Sequence, residues 1–250
     1  MAALTIGITS AGLPACKRGV AVNVAAIRAR DTAGHERVCL VDADPRLLDV
    51  TTRLAVSGPR LEDFAAREVS TVSIAAVHEP PLWVVPSSGA GVASAYRGAA
   101  RALPRLRAEF DVLVCDLVGG ASGPARVAGR LDHLDWLLLA VTPDVEPVAA
   151  AARFLEHFDE ARGRGEIAES VQLGVITTGD EGSTDLASEV VGKALGHPVL
   201  GSIPQLWGRR APNLGFGAAL GIAELDDAVS ALFERIEARS ALDPVTSRAS

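Results

Sequence analysis

The chain has only two lysines beside 22 arginines, and one of the two, Lys17, follows an apolar run and a short loop. The segment Ser10-Ala11-Gly12-Leu13-Pro14-Ala15-Cys16-Lys17-Arg18-Gly19 leads into a stretch of helical character. Strand, loop, lysine, helix is the layout of a phosphate site: backbone N–H groups converge on the anion at the positive end of the helix, and a compact ammonium neutralises it. Three carboxylates close other apolar runs, Asp42 and Asp44 after Val38 to Val41 and Asp116 after Val112 to Val114. The alternatives, a surface lysine at a helix start and aspartates capping element ends, are the less favoured readings. The shared placement of these residues at the ends of apolar runs argues for a site.

The elements that must position these residues are legible as apolar runs. Leu4 to Ile8, Val38 to Val41, Leu82 to Val85, Val112 to Val114, Trp136 to Val141, Val171 to Ile176 and Val199 to Ile203 read as strands. Between them lie helical stretches at about 17–30, 91–108, 145–162, 184–195 and 218–240, with Pro104 expected to interrupt the second. Near-continuous apolar strands alternating with helices indicate a mostly parallel sheet covered on both faces, a doubly wound α/β fold. In such sheets the ligand crevice lies outside the carboxyl ends of the strands, where Lys17, Asp42, Asp44 and Asp116 fall.

At 250 residues, 48% hydrophobic, 22% charged and mean hydropathy +0.25, the chain can bury a large core. We expect one domain over residues 1–242 and a loose tail over 243–250. No apolar run approaches the roughly 18 to 20 residues of a membrane span, and MAALTIGITSAG lacks the basic start of a signal peptide, so the expected compartment is the cytosol. Three cysteines without CxxC spacing, Cys16, Cys39 and Cys115, and five scattered histidines argue against a disulfide framework or a zinc site. A net charge of −7 works against nonspecific attraction to nucleic acid or anionic lipid.

The chain resembles the ParA/MinD group of deviant Walker P-loop ATPases. ITSAGLPACKRGVAVNVAA, ERVCLVDADPRLLDVT, LWVVPSSG, FDVLVCDLVGG, LLLAVTPD and VLGSIP occur in the family's order and at about its spacing, over nearly the whole length. The resemblance implies a P-loop NTPase fold and ATP or ADP as ligand. It also implies that Gly12, Cys16, Lys17, Arg18 and Gly19 lie along the phosphates and that Asp44, in the first switch, assists hydrolysis. Asp42 would lie close to the Mg²⁺ site, Asp116 would hold Mg²⁺ through water, and Gly119 and Gly120 would belong to the second switch.

The loop departs from the family pattern. In register, Gly12 stands for the signature lysine, Leu13 and Pro14 for two glycines, Cys16 for the last glycine, Arg18 for the Mg²⁺-binding threonine and Gly19 for the next threonine. Glycine is needed where a phosphate-cradling backbone turns to positive φ, and Pro14 removes an N–H donor. A guanidinium cannot ligate Mg²⁺. Mg²⁺-dependent hydrolysis is therefore expected to suffer most, with metal-independent nucleotide binding left open. Thr177-Thr178-Gly179-Asp180 stands where the family often has Asn-Arg at the adenine, which weakens base recognition.

Arg97, Arg101, Arg105 and Arg107 recur at helical spacing, a patch for a polynucleotide or acidic partner or, the reading favoured here, a solvated helix face. Arg209 and Arg210 beside Trp207 form a similar cluster. Ile222, Leu225, Val229, Leu232 and Ile236 form the apolar stripe of a C-terminal helix with an acidic outer side, which argues against a membrane anchor. The resemblance implies one of two functions. One is a non-hydrolysing or weakly hydrolysing partner in intracellular positioning (septum, chromosome, pole or secretion machinery), acting as a homodimer or with an intact paralogue and without nucleic acid. The other is an ATPase with an altered loop that cycles between monomer and nucleotide-bound dimer.

Overall fold

The computed structural model describes residues 3–11, 17, 19–46, 50, 54, 56–66, 75–77, 81–87, 89, 91–119, 133–179, 188–204 and 222–242. Eight strands form one sheet: β1 (Leu4–Ser10), β2 (Val38–Ala43), β3 (Ala75–Val77), β4 (Leu82–Val85), β5 (Val112–Leu117), β6 (Trp136–Val141), β7 (Gln172–Gly179) and β8 (Val199–Pro204). Their order is β3-β4-β2-β5-β1-β6-β7-β8, parallel throughout except that β3 runs antiparallel to β4 at the edge. The seven apolar runs are all strands. The three-residue β3 has no counterpart among those runs, being too short for any periodicity to show.

Six described helices accompany the sheet: α1 (Val20–Asp31), α2 (Asp63–Ala66), α3 (Val92–Glu109), α4 (Val145–Gly163), α5 (Ser188–Leu195) and α6 (Ala223–Leu242). Strand side chains alternate between faces, so each strand feeds two cores. Ile6, Ile8, Leu40, Val114 and Leu138 pack with α1 and α6 on one face. Cys39, Val41, Leu113, Cys115 and Leu137 pack with α3, α4 and α5 on the other. Cys39 and Cys115 are free thiols inside this second core, where burial pushes both thiols upward, Cys115 to about 12. The α6 stripe of Leu225, Val229, Leu232 and Ile236 is fully buried, and Arg28 and Arg30 of α1 pair with Glu237 and Asp226 of α6. No helix among the described residues is long and apolar enough to cross a membrane.

Two expectations are corrected. The first helix begins at Val20 rather than Lys17, because Gly19 caps it in the left-handed region at φ 75°, a conformation that glycine adopts without cost. Pro104 does not interrupt α3. The proline lies on the exposed side, as does Ala100 one turn earlier, so the carbonyl that loses its intrahelical donor can turn to water.

Close packing of α3 makes a test of the arrangement. A Cβ on Gly98 would overlap the Leu61 backbone carbonyl, whereas one on Gly163, in the last turn of α4, would meet open space. Gly98→Ala is expected to lower unfolding free energy by about 1–3 kcal/mol in urea titration, while Gly163→Ala stays within about 0.5 kcal/mol of the parent or improves on it.

Candidate functional site

Strand order builds the site. β5 lies between β1 and β2, so the carboxyl ends of all three strands are adjacent, and the parallel register sets Asp116 beside Asp42 on one side and Ile8 on the other. Period-two alternation directs Ser10, Asp42 and Asp116 to the α1 face, in the rows that hold Ile8, Leu40 and Val114 deeper in the sheet. Asp44 follows β2 directly, and Lys17 lies just ahead of the Gly19 cap of α1.

These residues converge. Lys17 Nζ lies 2.5 Å from Asp116 Oδ1 and 3.1 Å from Asp44 Oδ2. All three residues are buried, Lys17 at 1% exposure. Asp44 is held from its other side by Arg46, whose Nε and one terminal nitrogen lie 3.1 and 3.2 Å from its two oxygens. The same terminal nitrogen donates to the Gly119 carbonyl at 2.6 Å, which ties the segment after β2 to the segment after β5. The Asp44 N–H donates to Asp42 Oδ1 at 3.3 Å. Beneath Gly119, Thr9 Oγ1 donates to the Val118 carbonyl at 2.9 Å and the Val118 N–H donates to the Tyr96 hydroxyl at 3.1 Å.

Electrostatics follow from this geometry. Burial alone would lower the Lys17 ammonium, but the Asp116 and Asp44 charges outweigh it and hold the group above its ordinary value. Burial raises Asp116 to about 6, against the pull of Lys17 and with the help of Asp42 and Asp44. Asp44 ends below the usual carboxylate range, because the bonds from Arg46 and Lys17 overcome its burial. Among the described residues, Lys17 and Arg46 thus lie against Asp44 and Asp116, with Asp42 beside Asp116 in the register.

Four of the expected site residues, Lys17, Asp42, Asp44 and Asp116, are brought together, and Gly19 and Gly119 lie at their margins. Gly12, Cys16, Arg18 and Gly120, with Leu13 and Pro14, lie outside the described residues, as do Trp207, Arg209 and Arg210. Thr177 and Thr178 are buried, and the Thr177 hydroxyl lies 3.0 Å from Ser188 Oγ, so it serves the β7–α5 junction. Two contributors, Arg46 and Tyr96, are not singled out by the sequence reading, and Ser10 enters it only as the first residue of the loop segment. Arg46 was detectable as the basic residue two positions after Asp44, whereas nothing in the sequence singled out Tyr96.

The donor set suits a nucleotide in kind. Among the described residues Ser10 Oγ is buried with no hydrogen-bond partner, and a Cβ on Gly119 would overlap it, so glycine keeps the space beside this hydroxyl clear. Ser10, Asp42 and Asp116 carry oxygen donors of the kind Mg²⁺ accepts, and Lys17 is of the type that binds phosphate, but among the described residues no three acidic, histidine or cysteine side chains gather as a metal site. What opposes occupancy is that Lys17 is already committed to Asp116 and Asp44.

No protein-family model and no curated protein matches the chain, but solved structures match its fold. A ParA family ATPase from Chlorobium tepidum superposes at TM-score 0.72 with 19% identity, covering 94% of this chain and 98% of that one. MinD in the MinC:MinD cell division complex of Aquifex aeolicus gives 0.70 at 16% identity over 94% and 96%. The septum site-determining protein MinD of Pyrococcus horikoshii, complexed with Mg-ADP, gives 0.70 at 15% identity over 96% and 98%. The chain therefore has the ParA/MinD-type P-loop fold.

The pairing of Lys17 with its two acids predicts an asymmetry between partners. Lys17→Met leaves buried carboxylates without their cation and is expected to cost about 3–5 kcal/mol at pH 7. Without Lys17 their folded pKa values rise above the unfolded ones, so the folded state binds extra protons and the deficit shrinks as pH falls from 7 towards 5. Asp116→Asn removes the carboxylate raised from 3.8 to about 6 and leaves Lys17 on Asp44, so it should match or exceed the parent at pH 7. Urea denaturation of both variants across that pH range is the measurement.

Proposed function

We propose that this chain is a ParA/MinD-like protein of an intracellular positioning system that acts as a non-hydrolysing partner rather than as an ATPase turning over. The observation that carries the reading is the contact of Lys17 Nζ with Asp116 at 2.5 Å and Asp44 at 3.1 Å. The one cation suited to a phosphate is satisfied by the very acids that, in an ATPase of this type, would serve metal and water. A triphosphate entering the site must draw Lys17 away from both, and its charge is then repelled by the acids that Lys17 leaves unless Mg²⁺ comes too. Arg18 at the position of the Mg²⁺-binding threonine withholds the usual hydroxyl, so the metal that would offset this repulsion is poorly held.

Nucleotide chemistry, if present, would be divided as follows. Lys17 would hold phosphate, Asp116, Asp42 and the Ser10 hydroxyl would hold Mg²⁺ directly or through water, and Asp44 would orient the attacking water. Mg²⁺ would supply charge neutralisation of the phosphates. Arg46, bound to both Asp44 oxygens, opposes the last of the protein's roles by withdrawing the lone pairs a water would need. Work then falls to the protein's surfaces. The MinD of Aquifex is known in complex with MinC, and by that analogy we place this chain in the cytosol with a protein partner, as a homodimer or joined to a catalytically intact paralogue.

A second reading, an ATPase with an altered loop, is favoured by the retention of Lys17, Asp42, Asp44 and Asp116 in one cluster. Titration calorimetry with ATP, with and without Mg²⁺, separates the two. We expect no submillimolar binding and no turnover from the parent chain. Replacing Arg18 by Thr and residues 13, 14 and 16 by Gly should strengthen ATP binding by about tenfold or more. Submillimolar Mg²⁺-dependent binding by the parent, with turnover abolished by Asp44→Ala, would establish the second reading instead.

A further inference from the structure

We propose that the cavity at the amino edge of β6 and β7 binds a small zwitterion with two acidic groups and one amino group, of the acidic amino acid class. The site lies at the opposite edge of the sheet from Lys17 and shares no residue with it. Trp136 and Gln172 are the first residues of β6 and β7, and the two pair in the parallel register. The helices α4 and α6 cover opposite faces of the sheet. Both end here, so Arg162 in the last turn of α4 and Arg239 in the last turn of α6 approach the strand ends from two sides. They border a cavity of about 520 Å³, a volume typical of small-molecule sites, that Trp136, Glu169, Gln172 and Leu173 also line.

Much of the wall is held in place by the protein itself. Trp136 is 1% exposed, and its indole Nε1 donates to Ser240 Oγ at 3.1 Å, which fixes the ring. The Arg162 guanidinium lies 4.8 Å over the Phe158 ring and donates from one terminal nitrogen to the Val171 carbonyl. Its Nε is the one buried arginine nitrogen without a hydrogen-bond partner among the described residues, so the donors of this fork are only partly used. A helix C-terminus favours a cation, which accounts for an arginine at each position but not for the concave space they border. Acids nearby in the sequence do not fill that space. Asp135 is taken by Arg107 and the Thr5 N–H, Glu160 and Glu166 by Arg164, and Glu237 by Arg28. Among the described residues, Glu169 lines the same cavity yet forms no ion pair with either arginine.

The charges on the wall define the complement. Two guanidinium forks call for two carboxylates, each able to accept paired N–H bonds. The Glu169 carboxylate calls for a donor of opposite charge, an ammonium. A ligand with two carboxylates and one ammonium mirrors this set, whereas a dicarboxylate without the amine leaves Glu169 facing like charge. The Gln172 amide can give or accept one further bond. Inorganic phosphate offers anionic oxygens without the amine and is the poorer fit.

The test is calorimetric titration of the full chain, without nucleotide, with three probes: L-glutamate, glutarate, which lacks the amine, and L-glutamine, which lacks the second carboxylate. We expect saturable binding of glutamate, tighter by about tenfold or more than that of either relative. Arg239→Gln should weaken glutamate binding by about tenfold or more, and Glu169→Gln should abolish the preference for glutamate over glutarate. Both residues are exposed, so these variants should keep the parent's urea midpoint. Arg153→Gln, at an exposed arginine of α4 outside the cavity, should leave affinity unchanged. No saturable glutamate binding up to about 10 mM would overturn the proposal. So would equal affinity of parent and Arg239→Gln, or glutarate, glutamine or inorganic phosphate bound as tightly as glutamate. The readout involves neither ATP nor Lys17, so failure here leaves the reading of the Lys17 site untouched, and failure of that reading leaves this one untouched.

Discussion

An ammonium buried at 1% exposure between two aspartates organises the carboxyl edge of this sheet. Such a group persists in the interior only when its desolvation is offset by close carboxylates, and the carboxylates persist only because of it. The interaction is therefore mutual. It also recruits a second tier: Asp44, fixed by Lys17, becomes the anchor for Arg46, and Arg46 reaches on to the Gly119 carbonyl. Two chain segments that follow different strands are thereby joined through one side chain. Tyr96 extends the linkage to α3 by accepting the Val118 N–H.

The fold makes this cluster unavoidable once the residues are present. Placing β5 between β1 and β2 in parallel register brings two aspartates side by side at Asp42 and Asp116, an arrangement that repels unless a cation enters. In a phosphate-binding protein the bound metal can meet that need. Here a resident lysine and arginine meet it at Asp116 and Asp44. The apolar cores on either face depend on strand alternation and helix packing, not on the charged cluster at the carboxyl edge.

Much of this was legible in the residues. Apolar runs located seven of the eight strands because strands buried on both faces have no polar positions to obscure them. Lys17, Asp42, Asp44 and Asp116 could be singled out because α/β crevices form at strand ends. The rest was hidden for identifiable reasons. Helix α1 starts three residues later than its apolar pattern because a left-handed glycine, not hydrophobicity, sets the boundary. Arg107 shares its spacing with three exposed arginines, yet it turns inward, because its partner Asp135 is 28 residues away and spacing within a helix cannot reveal it. Arg46 follows a recognisable motif, but that it would clamp Asp44 rather than face water depends on where the chain after β5 passes, which only the fold determines. Whether the acids bind a metal or a lysine was likewise undecidable from residue types, since the same set suits both.

The central claim is that Lys17 belongs to the acids and not to a nucleotide. A crystal structure of the protein grown in saturating Mg-ATP tests it most directly. The account predicts Lys17 Nζ still bonded to Asp116 and Asp44, Arg46 still on Asp44, and no triphosphate at the turn after β1. A triphosphate lying along residues 12–18, with Lys17 moved onto its oxygens and a six-coordinate metal beside Asp116, would contradict it.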